Sequence, residues 1–175
     1  NFPIKNGDLV LVKGTVGVYE KSGQYQLYVT EMFPYGEGEY LLKLALLKKK
    51  LAEEGILSKT KKPLPFLPKK IGLITAKKGA AIHDFLTTLK NRFKVEVYIF
   101  PALVQGESAP NDIIRAINES ENFPLDVLVI TRGGGGKEDL RVFNDEGLIR
   151  RCYELKIPLI SAIGHEIDTT LLDYI

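Results

Sequence analysis

Leu125-Asp126-Val127-Leu128-Val129-Ile130-Thr131 runs apolar almost without interruption into Arg132-Gly133-Gly134-Gly135-Gly136. A strand with one wet face alternates apolar and polar residues, whereas a strand covered on both faces reads as a short continuous apolar run. Residues 71–75, 95–102 and 158–163 read the same way as 125–131. Between them lie three helix-compatible segments, at about 79–93, 109–122 and 139–155. The resulting βαβαβαβ order predicts an α/β fold with a parallel sheet and helices on both faces. In such a sheet the ligand lies outside the carboxyl ends of the strands, so the turns leaving those ends are where chemistry belongs.

Three turns qualify. The first, Ile74-Thr75-Ala76-Lys77-Lys78-Gly79-Ala80-Ala81-Ile82-His83-Asp84, leads from strand into helix. Its small residues let the helix N-terminus approach the sheet and expose backbone N–H groups to an anion. Asp84 is a candidate site carboxylate; the alternative is that it only complements the helix dipole. His83 is its immediate neighbour, and adjacent helical residues point in different directions, so one of the two is expected to face the site.

The second turn is the glycine run. Four consecutive glycines are costly in backbone entropy, which predicts a need for positive φ or for close approach of another group to the main chain; a plain flexible loop is the alternative. Gly133, Gly134, Gly135 and Gly136 are therefore candidate phosphate-binding residues. They do not form a Walker A loop, because Thr131 rather than Gly stands five residues before Gly136 and Glu138 follows Lys137; the dinucleotide fingerprint fails as well. Arg132, at the strand end, is placed to fork onto a phosphate, with a salt bridge to a neighbouring Asp as the competing use.

The third turn, Ser161-Ala162-Ile163-Gly164-His165-Glu166-Ile167-Asp168-Thr169-Thr170, carries a histidine at a strand end with carboxylates one and three residues on. Such a histidine suits acid/base or nucleophilic work near neutral pH. Asp168 either belongs to this constellation or caps the helix that follows. With Arg132 on the same sheet face, His165 points to a phosphoryl or carboxylate substrate. Two His, one Cys and scattered carboxylates offer no Cys or His pair at metal-ligand spacing, which leaves a carboxylate-only Mg²⁺ site through Asp84 and Asp168 as the one metal alternative.

The remaining sequence divides into residues 1–40, 41–69 and 70–175. In the first, 8–20 and 24–30 alternate in β-branched and aromatic residues about Lys21-Ser22-Gly23, predicting a hairpin that ends at Pro34, Gly36 and Gly38. Leu41, Leu44, Leu47 and Leu51 then repeat at helical spacing over 41–54, closed by Gly55, and 59–68 is a Pro- and Lys-rich linker.

The 175 residues carry 24 Lys and Arg against 22 Asp and Glu and are 45% hydrophobic, a globular composition that excludes disordered and fibrous classes. Charge is uneven: residues 48–70 hold eight lysines against Glu53 and Glu54. Lys48, Lys49, Lys50, Lys61 and Lys62 are candidate contacts to a nucleic-acid backbone, the alternative being a solvated linker. No run of about 18 apolar residues or signal-peptide pattern is present, so no membrane role is expected. The lone Cys152 is assigned to packing, and a reducing cytoplasm fits it. A first residue of Asn, in mid-domain, reads as a piece of a longer polypeptide.

The motifs Gly23-Gln24-Tyr25-Gln26-Leu27, Pro34-Tyr35-Gly36-Glu37-Gly38, Lys62-Pro63-Leu64-Pro65, Gly79-Ala80-Ala81-Ile82-His83-Asp84, Val104-Gln105-Gly106, Arg132-Gly133-Gly134-Gly135, Glu138-Asp139-Leu140, Phe143-Asn144-Asp145-Glu146 and Gly164-His165-Glu166 follow one another through almost the whole chain. In this order the sequence closely resembles the large subunit of bacterial exodeoxyribonuclease VII. The resemblance implies an N-terminal OB-fold that binds single-stranded DNA, a central α/β domain that hydrolyses it to short oligonucleotides, and a C-terminal helical region that recruits small subunits. Residues 1–40 would be the end of the OB-fold and 70–175 most of the α/β nuclease domain.

The same resemblance implies Asp84, Arg132, His165 and Asp168 as functional residues and a reaction without a required divalent metal. It also implies single-stranded DNA and the small subunit as partners. Gly136 stands where the family usually has Ser, Arg141 where an aromatic is common, and Ala76 where Ser is frequent. Tyr25 and Tyr28 lie on opposite faces of one strand, so one is available to stack on a base, and Tyr25 is expected to pack in the core. The competing function is a non-catalytic single-stranded DNA-binding module.

Overall fold

The computed structural model describes residues 4, 6–19, 23–57, 60–77, 80–90, 92, 94–134, 136–164 and 169–175, and of Ala80, Lys137 and Glu138 the backbone alone. Two compact units divide the chain, Asn1–Lys49 and Lys50–Ile175.

In the first unit, β1 (Val10–Tyr19) and β2 (Gln24–Pro34) form the expected antiparallel hairpin, from the Tyr19↔Gln24 pair at the turn to Val10↔Pro34 at the open end. The register slips between Lys13 and Gly14, leaving Thr30 as the extra residue of a bulge. Its hydroxyl donates to the Lys13 carbonyl at 3.0 Å, which returns a partner to the interrupted ladder. β2 ends at Pro34, where the hairpin is expected to end, and the proline occupies the last rung, where a missing N–H matters least. Tyr25 departs from expectation: it is 81% exposed. Tyr28 is also about half exposed, its ring lying over Gly17, where an added Cβ would come within 2.8 Å of Cε2.

Helix α1 (Glu37–Glu53) starts earlier than the leucine spacing implies. Gly36, at φ +92°, turns the chain out of β2, and Glu37 and Glu39 then place two carboxylates in the first turn, where the helix dipole favours them. The helix ends in a Schellman motif: Ile56 N–H donates to Leu51 O at 2.9 Å and Gly55 N–H, at φ +76°, to Ala52 O at 3.0 Å. Leu51 and Ile56 are both buried, supplying the apolar contact that accompanies such a stop.

The second unit is the parallel sheet, in order β4-β3-β5-β6, built from β3 (Lys70–Thr75), β4 (Glu96–Pro101), β5 (Val127–Thr131) and β6 (Leu159–Ala162). Every residue of β5 is buried, which is why its sequence does not alternate. Asp126, the one charged residue of that run, lies just before the strand and accepts the N–H groups of Lys69 at 2.7 Å and Lys70 at 2.8 Å. It thereby ties the start of β3 to the start of β5.

Helix α2 (Ala80–Lys90) lays Ile82, Phe85 and Leu89 on Ile71, Leu73, Val127 and Val129 of one sheet face. The chain crosses from β3 to β4 in one direction and from β4 to β5 and β5 to β6 in the other. Right-handed crossovers therefore put α3 (Ala109–Ser120) and α4 (Glu146–Glu154) on the opposite face. There the sheet is so closely covered that a Cβ on Gly72 would lie 2.6 Å from Leu125 Cδ1 and 2.7 Å from Leu128 Cδ1.

One expected helix is two. The segment 139–155 divides into a 3₁₀ helix at Lys137–Asn144 and α4, because the Asp145 carboxylate accepts the Leu148 N–H at 2.9 Å and starts a new helix. A second 3₁₀ helix, Leu171–Tyr174, is anchored by Asn144 Oδ1, which accepts the Leu171 N–H at 2.7 Å. Cys152 on α4 is 1% exposed, and burial pushes its thiol up to about 12, in keeping with a packing residue. Among the described residues no helix is long and apolar enough to cross a membrane.

Candidate active site

Strand β3 sends its crossover towards β4 and β5 sends its own towards β6, so at the carboxyl ends of these neighbouring strands the chain departs in opposite directions. That is the switch point at which open α/β sheets leave a crevice. Thr75 and Thr131, the last residues of the two strands, are both buried. Thr131 Oγ1 donates to Ala162 O at 2.9 Å and Arg132 N–H to the same carbonyl at 3.4 Å. The loop after β5 and the loop after β6 thus leave from one shared acceptor.

A cleft of about 420 Å³ opens there, lined by Ala81, Asp84, Phe85 and Thr88 on one side and by Thr131, Arg132, Gly133 and Gly134 on the other. Positions 81, 84, 85 and 88 are spaced as a single helical face, so α2 turns one stripe to the cleft while Ile82 and Leu89 face the core. Asp84 is on the cleft stripe. His83 is exposed and does not line the cleft, as expected for a residue one position away.

The Arg132 side chain is only 7% exposed. Its Nη1 donates to the Gly136 carbonyl at 3.1 Å and lies 3.4 Å from Asp139 Oδ2. The same Asp139 oxygen accepts the Gly136 N–H at 3.1 Å, capping the 3₁₀ helix. Arg132 therefore lines the cleft and also pairs with a nearby Asp, the use that competes with its binding a phosphate. Asp139 escapes a linear reading because its partners lie three and seven residues back, across a loop; its place at the third position of the 3₁₀ helix is the one clue, since a carboxylate there reaches back to the helix start.

Of the two needs that would call for glycine, positive φ is not met in the described glycines of the run. Gly133, Gly134 and Gly136 are absent from the residues with positive φ, and a Cβ on Gly134 or Gly136 would meet nothing within 4 Å. Neither backbone strain nor internal crowding requires glycine at these positions. What a side chain would occupy there is open space above the main chain. Gly135, His165 and Asp168 lie outside the described residues.

Of the candidate lysines, Lys48, Lys49 and Lys50 sit in the last turns of α1, and Lys61 and Lys62 in the irregular segment before β3. Lys50 Nζ donates to Glu146 Oε1 at 2.8 Å and Lys61 Nζ to the Asp173 carbonyl at 2.7 Å. Both stay exposed while so engaged. Among the described residues no three His, Cys, Asp or Glu side chains are grouped around a common point that would hold a metal ion.

A family model described as "Exonuclease VII, large subunit" matches residues 56–175. Proteins called exodeoxyribonuclease 7 large subunit from Geotalea uraniireducens and Geobacillus kaustophilus are 47% and 46% identical to the chain over 177 residues, 99% of this chain and 40% of each relative. One from Bacillus cereus is 48% identical over 179 residues, covering 99% of this chain and 39% of the relative. The chain thus spans about 40% of the length of the curated relatives it matches.

Proposed function

The chain belongs to the exonuclease VII large-subunit family, and from that premise we propose that its α/β unit carries the site at which the full enzyme hydrolyses phosphodiester bonds of single-stranded DNA, working from the ends and releasing short oligonucleotides. The observation that carries this reading is the meeting of Asp84 and Arg132 in one cleft at the switch point, beside glycines with open space above them. A phosphate backbone is an anion whose oxygens need donors at close range, and a main chain without side chains admits that approach.

The residues divide the work by their chemistry. Arg132 and the amides of Gly133, Gly134, Gly135 and Gly136 stabilise the negative charge that builds on the phosphoryl oxygens as water adds to phosphorus and the bond to the leaving oxygen breaks. His165 takes the proton from that water, or attacks phosphorus itself to form an adduct that water then releases. Asp84 or Asp168 orients the imidazole or hands a proton to the leaving oxygen. No divalent metal is required in this scheme.

The β1–β2 ribbon would be the end of an OB-fold, with the exposed Tyr25 available to stack on a base, and Lys48, Lys49, Lys50, Lys61 and Lys62 would follow the DNA backbone. Through a region outside this chain the large subunit would hold small subunits, in the bacterial cytoplasm.

The test is cleavage of end-labelled single-stranded DNA by the full-length large subunit co-expressed with its small subunit, in EDTA, for wild type and His165→Ala. Short oligonucleotides from wild type and none from the variant are expected. Unchanged cleavage by the variant removes His165 from the mechanism. Activity restored only by Mg²⁺ moves Asp84 and Asp168 to metal ligands, and DNA binding without turnover in either condition leaves a binding module.

A further inference from the structure

We infer that Asp139 is a positioning residue for Arg132, and that it couples the arginine to the glycine loop through a single carboxylate oxygen. The inference rests on the proposed role of Arg132 at the phosphoryl group and goes one layer outward from it.

Three contacts close a small ring. Asp139 Oδ2 accepts the Gly136 N–H at 3.1 Å and faces Arg132 Nη1 at 3.4 Å, and Nη1 itself donates to the Gly136 carbonyl at 3.1 Å. Gly136 is thereby gripped by both its N–H and its C=O, one by the carboxylate and one by the guanidinium. A guanidinium with 7% of its side chain exposed needs a counter-charge, and Asp139 supplies one at ion-pair distance. At 34% exposure Asp139 still reaches solvent, and its contact to Arg132 is longer than the 2.7–2.9 Å or so of a tight charge-assisted bond. Such a pair fixes the orientation of the Arg132 guanidinium at the wall of the cleft.

The ring also explains why a carboxylate rather than an amide is called for. An Asn at 139 keeps an oxygen able to accept the Gly136 N–H, and so preserves the cap on the 3₁₀ helix, but carries no charge for Arg132. Cap and counter-ion can therefore be separated by one substitution.

The experiment is steady-state cleavage of end-labelled single-stranded DNA by the full-length large subunit with its small subunit, for wild type, Asp139→Asn, Arg132→Lys and the double variant, with thermal unfolding of each as a check on folding. Asp139→Asn is expected to lower kcat by roughly 10- to 100-fold, the range for a catalytic group displaced by up to about an ångström, with KM within about twofold of wild type. In the Arg132→Lys background the same substitution is expected to cost little more, because a residue acting through Arg132 has nothing left to position.

Full additivity of the two losses, or an unchanged kcat in Asp139→Asn, overturns the inference while leaving the role of Arg132 intact. Unchanged cleavage by Arg132→Lys overturns the reading beneath it, and the inference with it. If Asp139→Asn does not assemble, Asp139→Glu takes its place: retention of the charge is expected to hold kcat within about tenfold of wild type, and a loss as deep as that of Asp139→Ala overturns the inference.

Discussion

A Cβ on Gly133 would lie 3.8 Å from the Cβ of Ala81, so between the loop after β5 and the second residue of α2 there is room for one methyl at ordinary contact distance and no more. Ala81→Leu projects three further carbons into the space between Asp84 and Arg132. Cleavage of single-stranded DNA by the full enzyme is expected to fall roughly tenfold or more through misplacement of the substrate, with a change in unfolding free energy within about 0.5 kcal/mol because Ala81 is not part of the core.

Gly134→Ala separates folding from function in the opposite sense. With no positive φ to relieve and nothing within 4 Å of the new methyl, the substitution is expected to raise stability by about 0.4–1 kcal/mol by restricting the unfolded chain. If phosphate oxygens come down onto that main chain, kcat/KM falls in the same protein. Denaturant unfolding and cleavage assays on one preparation read both effects, and equal activity would mean that the DNA passes elsewhere.

Gly72→Ala meets a filled core. The added methyl would sit 2.6 Å from Leu125 Cδ1 and 2.7 Å from Leu128 Cδ1 on a strand that is buried on both faces. A loss of about 1–3 kcal/mol is expected from overpacking, seen as a lower denaturation midpoint with an unchanged slope.

Acid should loosen the surface network that joins α1 to α4. Arg150 binds Glu54 at 2.6 Å and Glu146 at 2.7 Å, and Lys50 reaches Glu146 at 2.8 Å. Hydrogen bonds from Arg150 hold the Glu54 carboxyl below its ordinary 4.5, and those from Lys50 and Arg150 do the same for Glu146. A carboxyl depressed in the folded state contributes its stability in full above the ordinary value and loses it as pH falls through the folded value. The unfolding midpoint should therefore decline as pH drops below about 4.5, and decline less in the Glu54→Gln, Glu146→Gln double variant. Glu54 is exposed and Glu146 only partly buried, so the difference should be small and shrink with added salt.

The sheet was legible because burial on both faces writes itself into sequence as an unbroken apolar run, as at residues 127–131. Helical breaks were less so: Val142, Phe143, Leu148 and Ile149 keep an apolar spacing across residue 145, and only the capping carboxylate of Asp145 divides the 3₁₀ helix from α4. At the site, strand ends placed Asp84 and Arg132 correctly near the same crevice, since topology alone decides which turns converge. In the glycine run positive φ is absent at Gly133, Gly134 and Gly136, which leaves close approach of another group as the need that would call for glycine there. Asp139 stayed hidden because a contact between a loop and its own flank has no periodicity to betray it.

The β1–β2 ribbon differs from the parallel sheet in what holds it. Val16, Val18, Tyr25, Leu27 and Tyr28 are all more than half exposed on its two strands, whereas β5 is buried throughout. A two-stranded ribbon wet on both sides has little beyond its own ladder to resist opening. Amide protons of residues 10–19 and 24–34 should thus exchange with deuterated solvent orders of magnitude faster than those of β3 and β5. Local opening would be confined to the ribbon, while β3 and β5, the strands that lead to the Asp84 and Arg132 cleft, keep their protons until global unfolding.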